Sequence, residues 1–149
     1  MNYIRIDYIK PQEIGEAIRI EAESFSEAEA WDAEGYVDLL DGPGGEGYFA
    51  YYAGAPAGAL WCQEFSEGTI EVASLAVYPQ FRGKGIGRAL MERMIADATR
   101  GGSSCLMLEC RPSNTGALKL YASLGFIEDK RLPDYYENGE EAIRMLRKL

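Results

Sequence analysis

Residues 69–110 constrain the fold more than any other part of this chain. TIEVASLAV at 69–77 reads as an apolar strand, and SCLMLEC at 104–110 reads as a second, buried one. Between them, from Gly85 to about Arg100, Ile86, Leu90, Met94, Ile95 and Ala98 recur at helical spacing, and Gly101-Gly102 end the helix. A strand–helix–strand passage returns its second strand parallel to the first, because the helix carries the chain back over one face of the sheet. The strands before it, YFAYY at 48–52 and AGALWCQ at 57–63, are separated only by AGAP and form a hairpin. The sheet is therefore mixed, with one parallel pair in a mostly antiparallel array.

The remaining elements complete the order. IRIDYI at 4–9 alternates as a strand does. Pro11 then suits the first turn of a helix whose apolar positions are Ile14, Ala17, Ile18, Ala22 and Phe25. Ser26 with Glu29 makes a capping-box pattern for a second helix reaching about Leu40, its apolar face drawn from Trp31, Val37, Leu39 and Leu40. DGPGGEG at 41–47 is a loop inside one domain. Ser113 or Asn114 caps a short helix to Leu124, Gly125 ends it, and FIEDK and AIRMLRKL supply two last strands. The expected architecture is a single α/β (α+β) domain over residues 1–149, with about seven strands, four helices and one central parallel pair. Its 149 residues suit one domain, since domains usually run to roughly 100–200 residues.

Composition then narrows the chemistry. The chain contains no histidine, the only side chain whose unperturbed pKa lies near neutrality, so Ser-His-Asp triads, Cys-His dyads and His-ligated zinc are excluded and no metal site is expected. Proton transfer must use carboxyl, phenol, thiol, amine or water. A net charge of −9 argues against nucleic acid or an anionic membrane as partner. Residues 1–74 hold three basic and fifteen acidic side chains, net −12, which leaves twelve and nine, net +3, in residues 75–149. An anion therefore belongs with the second half. The acidic half either solubilises its helices or steers a cationic acceptor. Three cysteines, no apolar run near the roughly 20 residues of a membrane span and no signal peptide lead us to expect a cytoplasmic protein.

RGKGIG at 82–87 lies between the apolar strand and its helix, with Gly83, Gly85 and Gly87 alternating. Glycine permits positive φ, and a helix N-terminus adds about half a positive charge, so backbone N–H groups can converge there on a phosphate. Arg82, Lys84 and Arg88 reinforce the sign. A P-loop requires G-x-x-x-x-G-K-[ST], which is absent, and a dinucleotide G-x-G-x-x-G counted from Gly83 meets Arg88 at its third glycine. The alternative is a glycine turn that merely lets helix and strand pack closely.

LAVYPQFRGKGIGRAL at 75–90 resembles motif A of the GCN5-related N-acetyltransferases (GNAT), whose [RQ]-x-x-G-x-[GA] signature is met by Arg82, Gly85 and Gly87. LECRPSNTGALKLYASLGF at 108–126 and YYENGEEAIRM at 135–145 are similar to stretches of the subgroup that acetylates protein N-terminal amines, including ribosomal-protein-alanine acetyltransferases. Cys110 stands where that pattern usually has valine, Glu141 replaces an Asp, and a Pro-Trp pair often found near the first helices of the bacterial ribosomal subgroup is missing. The resemblance covers about half the chain, residues 72–146. It implies a GNAT-like fold and acetyl-coenzyme A as cosubstrate. The implied cosubstrate contacts are Leu75, Val77 and the loop residues Arg82, Gly83, Lys84, Gly85, Ile86 and Gly87, with Arg88 adding charge and Asn114 both capping its helix and meeting the pantetheine arm.

Glu109 ends an apolar strand, where desolvation would raise its pKa toward neutrality and make it a general base, directly or through water. The alternative is a solvent-facing carboxylate. Tyr121 shares a helical stripe with Ala117, Leu120 and Leu124, the pattern of a core aromatic. The resemblance instead implies a phenol that protonates the departing thiolate. The Val77 amide is expected to hold the developing oxyanion. A covalent route through Cys110 lacks an obvious activating neighbour. Tyr135, Tyr136 and Glu140 are acceptor-side candidates or ordinary rim packing. The expected function is direct transfer of an acetyl group to a primary amine, a protein or peptide N-terminus. The alternatives are a polyamine or amino-sugar acceptor, or a non-catalytic acyl-coenzyme A-binding module. The chain is expected to be a monomer or homodimer.

Overall fold

The computed structural model describes residues 3–24 and 33–149. Within them the chain runs β1 (Ile4–Tyr8), a 3-10 turn (Pro11–Glu13), α1 (Ile14–Ser24), α2 (Ala33–Asp41), β2 (Glu46–Tyr52), β3 (Ala55–Ser66) and β4 (Thr69–Val77). A second 3-10 turn (Pro79–Phe81), α3 (Ile86–Arg100), β5 (Cys105–Cys110), α4 (Thr115–Ser123), β6 (Ile127–Leu132) and β7 (Ala142–Lys148) follow. The expected capping box at Ser26 and Glu29, with Phe25 and Trp31, lies outside the described residues.

All seven strands join one sheet in the order β1-β2-β3-β4-β5-β7-β6. The strand–helix–strand segment produces its parallel pair, but the β4/β5 ladder holds only at Thr69–Cys105, Ile70–Leu106 and Glu71–Met107. Beyond those positions β4 continues against β3 and β5 against β7. The sheet therefore parts between Val72–Val77 and Leu108–Cys110. β7 sits between β5 and β6 because Ala142, Ile143 and Met145 are buried, whereas β6, reading IEDKRL, is exposed along nearly its whole length and makes a charged edge.

A bulge on β4 decides what lines the parting. Trp61 of β3 opposes Ser74 and Cys62 opposes Val72, so Ala73 is an extra residue in the ladder. Before it, Ile70 and Val72 face the cluster containing α3; after it, Leu75 and Val77 do, while Ser74 turns toward α1 and Ala76 and Tyr78 join the cluster containing that helix. Side chains of one strand alternate faces, and the extra residue shifts that alternation by one.

Each sheet face carries its own core. On one side Ile86, Leu90, Met91 and Met94 of α3 pack on Leu60, Leu106 and Leu108, joined by Leu124 and Phe126 after α4. On the other, Ala17 and Ile20 of α1 and Tyr36 and Leu39 of α2 cover Phe49, Ala59 and Trp61, with the Tyr36 and Trp61 rings stacked at 3.9 Å. Removing such a buried indole costs on the order of 3–5 kcal/mol.

The acidic helices correct two sequence expectations. Val37, expected on the apolar face of α2, is 43% exposed, because Tyr36 and Leu39 three residues apart form the stripe. On α1 Ala22, expected on the apolar face, is exposed, and its neighbour Glu21 is 2% exposed, accepting a hydrogen bond from Ser74 Oγ at 3.0 Å. Glu13 and Glu16 likewise accept from the hydroxyls of Tyr51 and Tyr78. Three acids of this segment thus point into the sheet and dock the helix. The loop expected at 41–47 is shorter, since Glu46 and Gly47 already belong to β2. Gly45 is required there: a Cβ would lie 1.9 Å from the Leu39 carbonyl oxygen.

Candidate functional site

The glycine loop forms where β4 leaves the sheet. Gly83 and Gly85 adopt φ of 78° and 83°, the left-handed region that only glycine enters cheaply, and Gly85 is the N-cap of α3. Among the described residues, the backbone N–H groups of Gly83 through Arg88 donate to no protein acceptor, whereas the Arg82 N–H reaches Pro79 O at 3.3 Å. Six successive donors at the positive end of a 15-residue helix make a site for an anion. Arg82 Nε donates to Val77 O at 3.3 Å, Lys84 lies 5.3 Å from the centre of the Tyr52 ring, and Arg88 donates to Ser123 Oγ of α4. Gly87 has an ordinary φ. A Cβ there would meet Leu120 at 3.6 Å and Leu75 at 3.9 Å, so this residue marks where α3, α4 and the parted edge of β4 converge. Leu75, Val77 and residues 82–88 are brought together at this point. Asn114 is the cap of α4, its Oδ1 accepting from Ala117 N at 3.2 Å.

Glu109 and Tyr121 approach the parting from opposite faces. Leu108 and Cys110 point into the α3 cluster, and Glu109 between them points away from it. Its carboxylate meets a guanidinium and a phenol instead of an apolar pocket: Arg144 Nε donates to Oε2 and Tyr135 Oη to Oε1, each at 2.9 Å. Tyr121 packs against the α3 cluster, its ring 6.0 Å from Phe126 in an edge contact. The core-aromatic reading of its helical stripe is therefore correct as far as packing goes. Among the described residues the Tyr121 hydroxyl has no hydrogen-bond partner, and burial, with Cys110 and Tyr136 adding to it, pushes its pKa above the ordinary phenol value. It is a protonated phenol at neutral pH.

Tyr135 and Tyr136 link the two faces. Their rings meet edge to face at 4.9 Å. Tyr135 is pushed up to about 12 by burial and by its bond to Glu109, and Tyr136 to about 12 by burial and by Cys110 and Tyr135 beside it. Glu140 holds their loop in place. One oxygen accepts from Arg111 Nη1 at 3.0 Å and Ser113 Oγ at 3.1 Å, the other from Ser113 N at 3.0 Å, and its own carbonyl takes the N–H groups of Tyr135 and Tyr136. These bonds hold the Glu140 carboxyl below its usual value. Arg111 also lies 3.9 Å from the centre of the Tyr136 ring. Sequence reasoning did not single out Arg111 or Arg144, and it named Ser113 only as an alternative to Asn114, the residue that caps α4. Arg144 carried one signal, a charge between the apolar Ile143 and Met145 of a strand.

Cys110 is buried, and burial followed by the Glu140 charge pushes its thiol up to about 11. Cys62 is likewise pushed up to about 12, by burial and by Glu46 and Asp97. Neither is poised as a thiolate nucleophile. Among the described residues no group of three or more Cys, Asp or Glu is placed to hold a metal ion.

A model of the acetyltransferase (GNAT) family matches residues 14–126. The N-alpha-acetyltransferase MAK3 of Arabidopsis thaliana is 37% identical over 101 residues, 66% of this chain and 53% of that protein. The chain spans about half the length, or less, of the curated relatives it matches. Among solved structures, the ribosomal-protein-S18-alanine N-acetyltransferase of Escherichia coli superposes with a TM-score of 0.87 at 28% identity, covering 97% of this chain and 93% of that one. Ard1 of Thermoplasma volcanium superposes at 0.89 with 25% identity over 99% and 98% of the two chains.

Proposed function

The chain belongs to the acetyltransferase (GNAT) family, and from that premise we propose that it transfers the acetyl group of acetyl-coenzyme A directly to a primary amine, the free amino terminus of a protein or peptide. The observation that carries this reading is the run of six undonated N–H groups at residues 83–88 beside the parted edge of β4, with Glu109 and Tyr121 on either face of the opening. The names of the relatives, an N-alpha-acetyltransferase and a ribosomal-protein-alanine acetyltransferase, support the choice of acceptor.

In this reading the 83–88 amides, with Arg82, Lys84 and Arg88, hold the donor's pyrophosphate, and Leu75, Val77 and Asn114 line its pantetheine arm. The acceptor enters from the opposite face, beside Tyr135 and Tyr136 on their Glu140 brace. A thioester is already activated, so the protein needs to supply orientation, a base and an acid. The amine nitrogen bonds to the thioester carbonyl carbon while the Val77 N–H holds the developing oxyanion. Glu109 takes the amine proton, directly or through water. The C–S bond then breaks, and Tyr121 gives its hydroxyl proton to the sulfur. The raised Tyr121 keeps that proton until a basic thiolate forms. Such a scheme requires no histidine.

The polyamine alternative drew on the acidic first half, and Glu13, Glu16 and Glu21 are engaged inward with Tyr51, Tyr78 and Ser74. A protein N-terminus and three free cysteines favour the cytoplasm as compartment; no helix among the described residues is long and apolar enough to cross a membrane. Release of free thiol from acetyl-coenzyme A, followed with peptides and with spermidine as acceptors, tests the proposal. Peptides with a free amino terminus should be turned over and N-terminally blocked ones not. Glu109→Gln should lower kcat by about 10²–10³ and Tyr121→Phe by about 10–10², both with donor affinity retained. Faster turnover of spermidine would replace the acceptor. Donor binding without turnover by the wild type would leave only a binding module.

A further inference from the structure

Glu109 and Arg144 stand directly opposite each other in the β5/β7 register. Their side chains are 12% and 20% exposed and joined by the 2.9 Å contact between Arg144 Nε and Glu109 Oε2. The guanidinium in turn lies 5.4 Å from the centre of the Phe65 ring. Phe65 is the last residue but one of β3, is 52% exposed and belongs to neither core cluster, so its place in the fold is not explained by core packing. A planar cation over an aromatic face is held in orientation as well as in position. The other oxygen, Oε1, takes the Tyr135 hydroxyl. A glutamate on a strand ordinarily samples several rotamers; here one oxygen is anchored to a guanidinium that is itself seated on a ring, and the other sits beside the acceptor-side tyrosines.

We propose that Arg144 is a positioning residue for Glu109: seated on Phe65, it fixes the carboxylate so that Oε1, beside Tyr135, is the oxygen presented to the acceptor amine. The inference rests on the reading of Glu109 as the base. Anchoring Oε2 removes the orientations in which the base would miss the amine, and an error of an ångström in such a group is costly to rate. Lysine keeps the positive charge at this position but not the planar fork, so it restores the pairing without restoring the orientation.

The test is a double-mutant cycle on kcat, with the Michaelis constant for acetyl-coenzyme A and the circular dichroism spectrum as controls. Arg144→Met should lower kcat about 10–100-fold with the donor's Michaelis constant changed less than about twofold, and Arg144→Lys should recover only part of the loss. In a Glu109→Gln background, Arg144→Met should have no further effect on kcat beyond about twofold, because the residue acts through the group already removed. Phe65→Ala addresses the same seat without breaking the ion pair and keeps the question open to measurement if Arg144→Met does not fold; it should lower kcat severalfold in the wild-type background and leave Glu109→Gln unaffected. Losses that multiply in the double variants would overturn the role of Arg144 while leaving Glu109 as base. An unchanged kcat in Glu109→Gln alone would remove the base assignment and the proposal together.

Discussion

Cys110 follows Glu109 on β5 and faces the opposite side of the sheet, in the cluster with Leu124, Phe126 and Ile143. With its thiol pushed up to about 11 by burial, Cys110 is a thiol and not a thiolate at neutral pH. Cys110→Ala should therefore keep kcat within about twofold, and iodoacetamide at neutral pH should leave wild-type turnover intact; a loss beyond about tenfold in the variant would restore the covalent route. The same alternation explains which single residues were legible from the sequence. Glu109 and Tyr121 could be named because short contiguous patterns carry them. The environment of Glu109 could not, because its partners come from positions 26 and 35 residues away and only the β5/β7 register and the Tyr135 loop bring them to it. Glu140 shows the same limit. Its acidity was visible, but its two oxygens are used by Arg111 and Ser113 in a turn whose closure no spacing announces.

At the level of elements, the alternating glycines of the 82–87 loop separate into two kinds. Gly85 meets nothing within 4 Å of a would-be Cβ, so its φ of 83° alone requires glycine; Gly87 has no such φ and only van der Waals neighbours. Gly85→Ala should cost about 1–2 kcal/mol and lower Tm by about 2–8 °C. Tilting the amides at the helix start should also weaken acetyl-coenzyme A binding, read by calorimetry. Gly87→Ala places a better helix former in α3 and should hold or raise Tm. A lower Tm for the second variant than for the first would invert this assignment. The elements themselves were legible because periodicity reports burial directly: Ile86, Leu90 and Met94 are all buried on α3. What escaped is what one extra residue does. Ala73 flips the faces of β4, so the placement of Leu75 and Val77 on the α3 side depends on a bulge that alternation alone cannot reveal. On α1, Glu21 lies at helical spacing from Ala17 and Ile20 and so points inward, where its carboxylate takes the Ser74 hydroxyl, while Ala22 falls off that stripe.

For the whole molecule, the charge excess that the sequence displays is distributed among acids that act on stability in opposite directions. Asp97 of α3 accepts hydrogen bonds from Tyr8 of β1 and Tyr48 of β2, each at 2.9 Å, and lies beside Arg93 and Arg100, tying the first strand of the sheet to the helix behind it. Burial alone would raise its pKa, but the two phenols and the two guanidiniums outweigh it, and the carboxyl is held below its unfolded value of 3.8. A depressed acid contributes stability that is fully present above 3.8 and is lost as pH falls through its folded value. Glu140 acts in the same sense below 4.5. Glu46 acts in the other sense: burial, with the nearby Asp97 charge, raises it above 4.5, so folding loses stability as pH rises from 4.5 through that raised value, and the loss persists at neutral pH. Melting temperatures followed from pH 3 to pH 8 should therefore show Glu46→Gln above wild type at pH 7 and converging with it below about pH 4.5, where both side chains are neutral. Asp97→Asn should lie below wild type at pH 7 and approach it only below pH 3.8, where the wild-type carboxylate begins to lose its charge. Parallel displacement of either variant across the whole range would show that packing, and not ionisation, sets its effect.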